Sequence, residues 1–396
     1  MAIVKLAEVC EKIGSGATPR GGKEAYCDEG ISLVRSQNVL DFNFSKEGLA
    51  FINDEQAKKL SNVEVHSGDV LLNITGDSVA RACLMDDDYL PARVNQHVAI
   101  IRGNSHKIMN GYVLYYLQWR KEYLLQLASA GATRNALTKA MIEQLELDLP
   151  PLDSQQQIVA ILDSLQSKIQ LNQKINDNLE QQAQSYFQEL FVDNASPEWT
   201  TGTISNLGTV VGGSTPSKAK PEYYTESGIA WITPKDLSIN KSKFVSHGEN
   251  DITELGLKNS SAVIMPEGTV LFSSRAPIGY IAIAAGEVTT NQGFKSVVPK
   301  PEIGTPFVYF FLKNTLPVIE GMASGSTFKE VSGSTMKNVP AVIPDAETLA
   351  KFSDFCAAIF AQQRTLEEQN QSLAKLRDSL LPKLMSGEID VSAVHL

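Results

Sequence analysis

The chain is one unit written twice, and that duplication constrains its fold more than any other feature. Gly14 to Pro19 (G-S-G-A-T-P) returns as Gly212 to Pro216 (G-G-S-T-P). Gly30 to Val34 returns as Gly228 to Ile232, and Gly68 to Leu72 as Gly268 to Phe272. Asn95-Gln96 matches Asn291-Gln292, and Gly131 to Arg134 matches Gly325 to Phe328. The matches keep their order, and their spacing drifts by only a few residues around 197, the separation of Pro19 and Pro216. Short loop insertions in a tandem duplication produce such a drift.

Each copy divides into a globular part and a long helix. Short apolar runs bounded by Gly, Asp and Ser, such as Val70 to Ile74, Val98 to Ile101, Val270 to Phe272 and Tyr280 to Ala284, read as strands of a mixed, mostly β domain. One helix is expected in each, Tyr112 to Gln126 and Pro306 to Leu316. The second part carries a heptad-like stripe. Ile158, Ile161, Leu165, Asn172, Ile175 and Leu179 form it in the first copy. Phe352, Phe355, Ile359, Leu366, Leu373, Leu376 and Leu380 form it in the second. A sustained 3.5-residue period is what two helices need to share a seam, and a polar residue such as Asn172 would fix register at some cost in stability. Two amphipathic helices, each lying on its own domain, is the other reading. Pro150-Pro151 followed by Asp153 or Ser154 as N-cap, and Pro344-Asp345, are the expected starts. The fold class is α+β. The divisions are 1–150, a first domain; 151–192, the first long helix; 193–199, a linker; 200–345, a second domain; 346–386, the second long helix; and 387–396, a tail.

The net charge of −10 argues at first against a nucleic-acid partner. Position qualifies it: residues 1–152 carry a net of −3 and residues 197–345 a net of −1, so either domain can present a basic face. No apolar run approaches the ~20 residues of a membrane span. The first residues lack a signal-peptide pattern, so the cytoplasm is the expected compartment. The four cysteines are far apart, without a C-x-x-C, and are expected as reduced thiols.

Catalytic signatures are missing. Gly16 to Lys23 resembles a phosphate loop but lacks the G-K-[ST] ending. The five histidines form no H-E-x-x-H. There is no G-x-S-x-G elbow and no [DN]-P-P-[FY] base-methylation motif. No metal ligands or catalytic residues are assigned, and a binding or scaffolding role gains ground.

Two domains of about 150 residues, each followed by one long helix, resemble the specificity subunit of type I restriction–modification systems. Ser15 to Pro19 and Gly213 to Pro216 are similar to that family's S-G-x-T-P. Arg275 to Gly279 (R-A-P-I-G) is similar to its R-x-x-I-G turn, and Asn291-Gln292 to the N-Q that follows. Leu149 to Ile158 resembles the opening of its first long helix, and Leu380 to Ile389 the close of its second. Ile74 to Arg81 and Glu347 to Phe352 depart from the pattern.

The resemblance implies two target-recognition domains, each reading half of a split, asymmetric double-stranded DNA site. The helices would pack as an antiparallel coiled coil with pseudo-twofold symmetry, set the gap between half-sites and dock two methyltransferase subunits. S-adenosylmethionine would belong to those subunits, and Mg2+ and ATP to two motor–nuclease subunits where present. This chain would hold no cofactor and perform no chemistry, in the cytoplasm of a bacterium or archaeon. The candidate DNA contacts are polar and basic residues of the repeated loops. In the first copy they are Thr18, Arg20, Lys23, Arg35, Gln37, Asn73, Thr75, Arg81, Asn95 and Arg134. In the second they are Thr215, Lys218, Lys220, Lys235, Ser274, Arg275, Asn291 and Lys329. Gly14, Gly16, Gly212 and Gly213 are expected to form tight turns. A non-enzymatic adaptor with two interaction domains on a helical pair is the alternative.

Overall fold

A computed structural model describes residues 2–19, 21–129, 135–325 and 329–392, with Ala2 and Lys23 described by backbone alone. The chain forms two compact units, Met1–Ile169 with Ser372–Leu396, and Gln170–Gln371. In the first unit, Cys10–Ser15, Val98–Gly103, Val70–Asn73 and Ala82–Leu84 form an antiparallel sheet in that spatial order. A second sheet orders Ala50–Ile52, Ile31–Val34, Ala92–Val94 and Glu64–Val65, with only the middle pair parallel. Ala2–Lys5 pairs antiparallel with Glu146–Leu149.

The second unit repeats this plan with small additions. Gly208–Gly212, Lys295–Pro299, Val270–Ser274 and Ile278–Ala284 follow the first sheet, with Phe244–Val245 added in parallel at the edge. Tyr224–Thr225, Asn250–Ile252, Ile229–Ile232 and Thr289–Thr290 form the second sheet, again with one parallel pair. Thr200–Thr203 pairs with Pro340–Ile343. Gly68 (φ +74°) and Gly268 (φ +82°) precede the equivalent central strands. Both hold left-handed backbone, which a residue with a Cβ adopts only under strain. Those strands are wholly buried, which accounts for their unbroken apolar runs.

The shorter helices differ from expectation. The first is two, Asn110–Trp119 and Lys121–Ser129, broken at Arg120. The second runs from Thr305 to Met322, past Pro317, because Ile319 beyond it is fully buried and anchors the last turn.

The long helices span Leu152–Gln188, continued by a π-helical turn over Glu189–Asp193, and Ala346–Met385. Asp345 caps the second, its Oδ1 accepting from Thr348 N at 2.9 Å. Asp153 and Ser154 do not cap the first, since both lie inside it. Gln155 secures that end instead. Its Nε2 donates to Pro150 O at 2.9 Å and Lys107 O at 3.1 Å, and its Oε1 accepts from Met109 N at 2.9 Å.

Within each unit, segments of the two long helices pack together and run in opposite directions. In the first unit Ile158, Val159 and Leu162 share a core with Leu381, Leu384, Met385 and Tyr112. Arg377 Nη1 donates to Gln166 Oε1 at 2.6 Å, and its guanidinium lies 4.0 Å from the Phe42 ring centroid. In the second unit Asn172 Nδ2 donates to Asn370 Oδ1 at 2.9 Å, and Gln363 Nε2 to Asn176 O at 3.2 Å. Ala183 and Phe187 enter a core with Phe352, Cys356 and Ile359. Phe187, Leu381, Leu384 and Met385, near the helix ends, are thus buried in their own units.

The stripe needs correction. Ile158, Asn172, Phe352, Ile359 and Leu366 are buried, while Ile161, Leu165, Ile175, Leu179, Leu373 and Leu380 are half-buried. Phe355 and Leu376, however, are 40% and 47% exposed. The row they were assigned to lies one residue later, at Leu349, Cys356, Gln363, Asn370, Arg377 and Leu384. Its middle members are polar, so a count of apolar residues passes over them. Phe355 instead packs on the flank, its ring centroid 4.5 Å from that of Tyr186.

In the second unit the helix pair is pinned to the globular part by charge. Lys243, 6% exposed, donates to Glu180 Oε2 at 2.8 Å and Gln363 Oε1 at 2.9 Å, with its ammonium 3.6 Å from the Phe360 ring centroid. Lys313 also donates to Glu180. Burial raises the carboxyl's tendency to stay protonated, but the two lysines outweigh it and hold Glu180 at about 2. That stabilisation is therefore present above the ordinary carboxylate value of 4.5 and is lost as pH falls toward 2. Glu180→Ala leaves a buried ammonium without its carboxylate and should lower unfolding free energy by about 3 kcal/mol in urea titrations. An unchanged midpoint would show that the pin does not stabilise the unit.

Candidate nucleic-acid interface

The repeated motifs meet in space in the same way in each unit. Strand Cys10–Ser15 delivers Gly16, whose N–H donates to Val98 O at 3.0 Å, and Ala17 N donates to Val94 O at 3.1 Å. A Cβ on Gly16 would stand 1.9 Å from Val94 O, so only glycine allows this approach. Thr18 is thereby laid over the turn after Ala92–Val94, and its Oγ1 donates to Gln96 Oε1. Asn95 N donates to Val34 O at 3.0 Å, and its Oδ1 accepts from His97 N at 3.0 Å.

The second unit repeats most of these contacts. Ser214 N donates to Thr290 O at 2.9 Å, and a Cβ on Gly213 would stand 2.0 Å from Asn291 O. Thr215 Oγ1 donates to Gln292 Oε1. Asn291 N donates to Ile232 O at 3.0 Å, and its Oδ1 accepts from Gly293 N at 2.8 Å. Gly14 and Gly212 lie in strands, and a Cβ there meets nothing nearer than 3.9 Å, so they form no tight turn. The frame therefore consists of Gly–x–Thr laid on Asn–Gln, with the asparagine closing the turn and the glutamine facing outward.

Several candidates have structural duties instead. Asn73 is fully buried, its Nδ2 donating to Ser36 O at 2.8 Å and Val39 O at 3.2 Å, which ties its strand to the 36–39 loop and keeps the side chain from the surface. Ser274 is fully buried and donates to Gly293 O at 3.1 Å. Asn95 is 8% exposed and, like Asn291, is used in its turn. Arg35 and Gln37 both donate to Gly48 O. Lys235 is exposed and ion-paired with Glu249 at 2.6 Å.

Other candidates remain accessible. Lys218, Lys220 and Lys329 are exposed, and Arg81 is half-buried. Thr75 Oγ1 lies 2.6 Å from His97 Nδ1, and Gln96 Nε2 lies 2.9 Å from His97 Nε2. Gln96 Oε1 is occupied by Thr18, so its amide nitrogen faces the ring, Nε2 accepts, and the ring proton points at Thr75. Arg275 pairs with Glu330 at 3.5 Å, and Glu330 also faces Lys295 at 3.9 Å. Burial lowers the Lys295 pKa, against the pull of Glu330. Arg20, Arg134 and the Lys23 side chain lie outside the described residues.

Sequence reasoning missed Gln96, Gln292, His97, Lys295 and Glu330 as site members. The signal was present for the glutamines, since the N-Q pair recurs, but the asparagines, which the fold uses in their own turns, were the members named. Among the described residues no group of three or more His, Cys, Asp or Glu is placed to hold a metal, and no helix is long and apolar enough to cross a membrane. Burial raises the Cys10 and Cys356 thiols to about 12, which makes thiolate chemistry unfavourable near neutrality.

Comparison with known proteins agrees with the duplication. The Type I restriction modification DNA specificity domain matches twice, over residues 1–181 and 197–375. The chain belongs to that family. Over 192 residues it is 38% identical to the type I restriction enzyme MjaIX specificity subunit of Methanocaldococcus jannaschii, spanning 48% of this chain and 44% of that relative. It is 23% identical to the HindI specificity subunit of Haemophilus influenzae, covering 91% of this chain and 94% of that one. Its fold is like that of the type I restriction–modification S subunit from M. genitalium, with a TM-score of 0.55 at 16% identity over 97% and 96% of the two chains.

If the asparagines close turns and the glutamines face solvent, stability should separate them. Asn95→Ala and Asn291→Ala should each cost about 1 kcal/mol by urea unfolding. Gln96→Ala and Gln292→Ala should change it by less than about 0.5 kcal/mol. Equal costs for both residues of a pair would contradict the assignment.

Proposed function

We propose that this chain is the sequence-specific DNA-binding specificity subunit of a type I restriction–modification complex, with each unit reading one half of a bipartite, asymmetric duplex site. The observation that supports this best is that the family's DNA specificity domain matches once per repeat, and each repeat carries the same outward-facing Thr–Gln frame. A frame of exposed amide and hydroxyl groups flanked by arginine and lysine is the chemistry that reads base edges and phosphates.

In this reading the chain performs no reaction. Two methyltransferase subunits, using S-adenosylmethionine, methylate the site, and two motor–nuclease subunits, using Mg2+ and ATP, cleave where they are present. The long helices pack as an antiparallel coiled coil with pseudo-twofold symmetry, and docking falls to their outer, polar faces. Five seam positions seven apart, Phe352 to Leu380, span 28 residues, roughly 40 Å of helix, a little over one turn of B-DNA at about 34–36 Å. Helix length then sets the unread gap between the half-sites. The chain works in the cytoplasm of a bacterium or archaeon.

Inserting one heptad into each long helix should lengthen the gap in the methylated motif, mapped genome-wide with the methyltransferase present, while leaving both half-sites unaltered. An unchanged gap would refute the ruler. Binding of the full chain to its duplex should weaken steeply between 50 and 200 mM salt, by about tenfold or more. The adaptor reading expects no sequence-specific duplex binding at all.

A further inference from the structure

The ammonium of Lys243 meets three helices of the second unit at once. Glu180 Oε2, on Leu152–Gln188, accepts from it at 2.8 Å, and Gln363 Oε1, on Ala346–Met385, at 2.9 Å. The Phe360 ring centroid lies 3.6 Å away on the same helix as Gln363. The Tyr309 and Phe310 centroids, on Thr305–Met322, lie 4.5 and 5.0 Å away. Glu180 in turn accepts from Tyr309 Oη at 3.1 Å and from Lys313. The backbone of Lys243 is tied as well, its carbonyl accepting from Ile283 N at 2.7 Å and its N–H donating to Glu367 Oε1 at 2.7 Å. Lys243 and Gln363 are 6% and 3% exposed, so water does not take over these bonds.

Among the described residues the first unit has no such clamp. Its first sheet ends at Ala82–Leu84, without a counterpart of Phe244–Val245. Phe42 N donates to Ala82 O at that edge, and the cation comes from the helix side, the Arg377 guanidinium lying over the Phe42 ring. Tyr115 Oη donates to Asp163 Oδ1 at 2.6 Å, as Tyr309 does to Glu180, but Trp119 stands where Lys313 would be.

Distance decides what the clamp can do. One base pair advances the duplex by about 3.4 Å. A hydrogen bond is lost once its heavy atoms part to about 3.6 Å. The second unit's globular part therefore cannot shift along its helix pair by one base pair without stranding a buried ammonium, which is strongly unfavourable. We propose that Lys243, clamped between Glu180 and Gln363, is a positioning residue that holds the second unit's reading face in one place on its helix pair, so that the chain accepts a single gap length. The inference rests on the DNA-reading function and the ruler proposed above.

The test is selection of duplexes by the full chain from a random pool, with thermal melting alongside. The wild-type chain should enrich one two-part motif with one gap. Lys243→Met with Glu180→Leu replaces the buried pair by apolar side chains of similar volume and should still fold. Both half-sites should be kept, while selectivity for the best gap over gaps one base pair longer or shorter falls by about tenfold. If that variant melts early, Lys243→Met with Glu180→Gln decides, because an amide at position 180 still accepts from Lys313 and Tyr309. Undiminished gap selectivity in a folded variant would overturn the inference and leave DNA reading intact. Failure of both variants to fold would do the same, since the pair would then serve stability and not placement. A wild-type chain that enriches one motif with several gaps would overturn the ruler and the inference together. One that enriches no motif would overturn the DNA reading and the inference with it.

Discussion

The close backbone approach at Gly16 and Gly213 is the constraint on which both candidate sites depend. Each glycine lies where a side chain would collide with a carbonyl oxygen of the neighbouring turn, at 1.9 Å and 2.0 Å. Only because the chain passes so near does the following threonine reach the glutamine of the Asn–Gln pair. The asparagine folds its own turn, and the glutamine and threonine lock each other's orientation at the surface. A pair of side chains fixed in this way loses little conformational freedom on meeting a ligand, which is the usual route to selective polar recognition. Around that fixed pair the two units diverge: imidazole and hydroxyl in one, guanidinium, ammonium and carboxylate in the other.

The helices obey a different logic in the two units. The first unit's pair is sealed by Ile158, Val159, Leu162, Leu381, Leu384 and Met385, side chains that tolerate small shifts. The second unit's pair carries Asn172, Asn176, Gln363 and Asn370 between the helices, and continues into Glu180 and Lys243. Polar partners of fixed geometry penalise a slip of register far more than apolar ones do, because a slip strands buried donors and acceptors. Asn172 and Asn176 each already keep one buried oxygen without a hydrogen bond, a cost that register specificity would explain. Glu367 extends the attachment, accepting from the backbone N–H groups of Lys243 and Phe244 at 2.7 and 3.0 Å.

The duplication, the strand runs and the frame motifs were legible in the sequence, since they rest on local chemistry repeated at fixed order. Side-chain destinations were less so. Asn73 and Ser274 look like surface polar residues but are consumed by loop carbonyls that only the folded chain brings near. Phe355 and Leu376 attract attention as apolar members of the stripe, yet the facing row is held by Gln363, Asn370 and Arg377, whose polarity hides them from a hydrophobic period. Gln155, rather than Asp153 or Ser154, fastens the start of the first long helix, through the Pro150 carbonyl beside it and the Lys107 carbonyl of a distant loop. Glu330 could not be connected to Arg275 from a separation of 55 positions, because tertiary pairing between surface charges leaves no local trace.

Base-by-base interference footprinting of the full chain on a duplex it selects tests the central claim most directly. The account predicts two separate clusters of interfering bases with an indifferent stretch between them, and loss of one cluster when the frame of one unit is removed. A single continuous cluster, or one that either frame alone sustains, would contradict it.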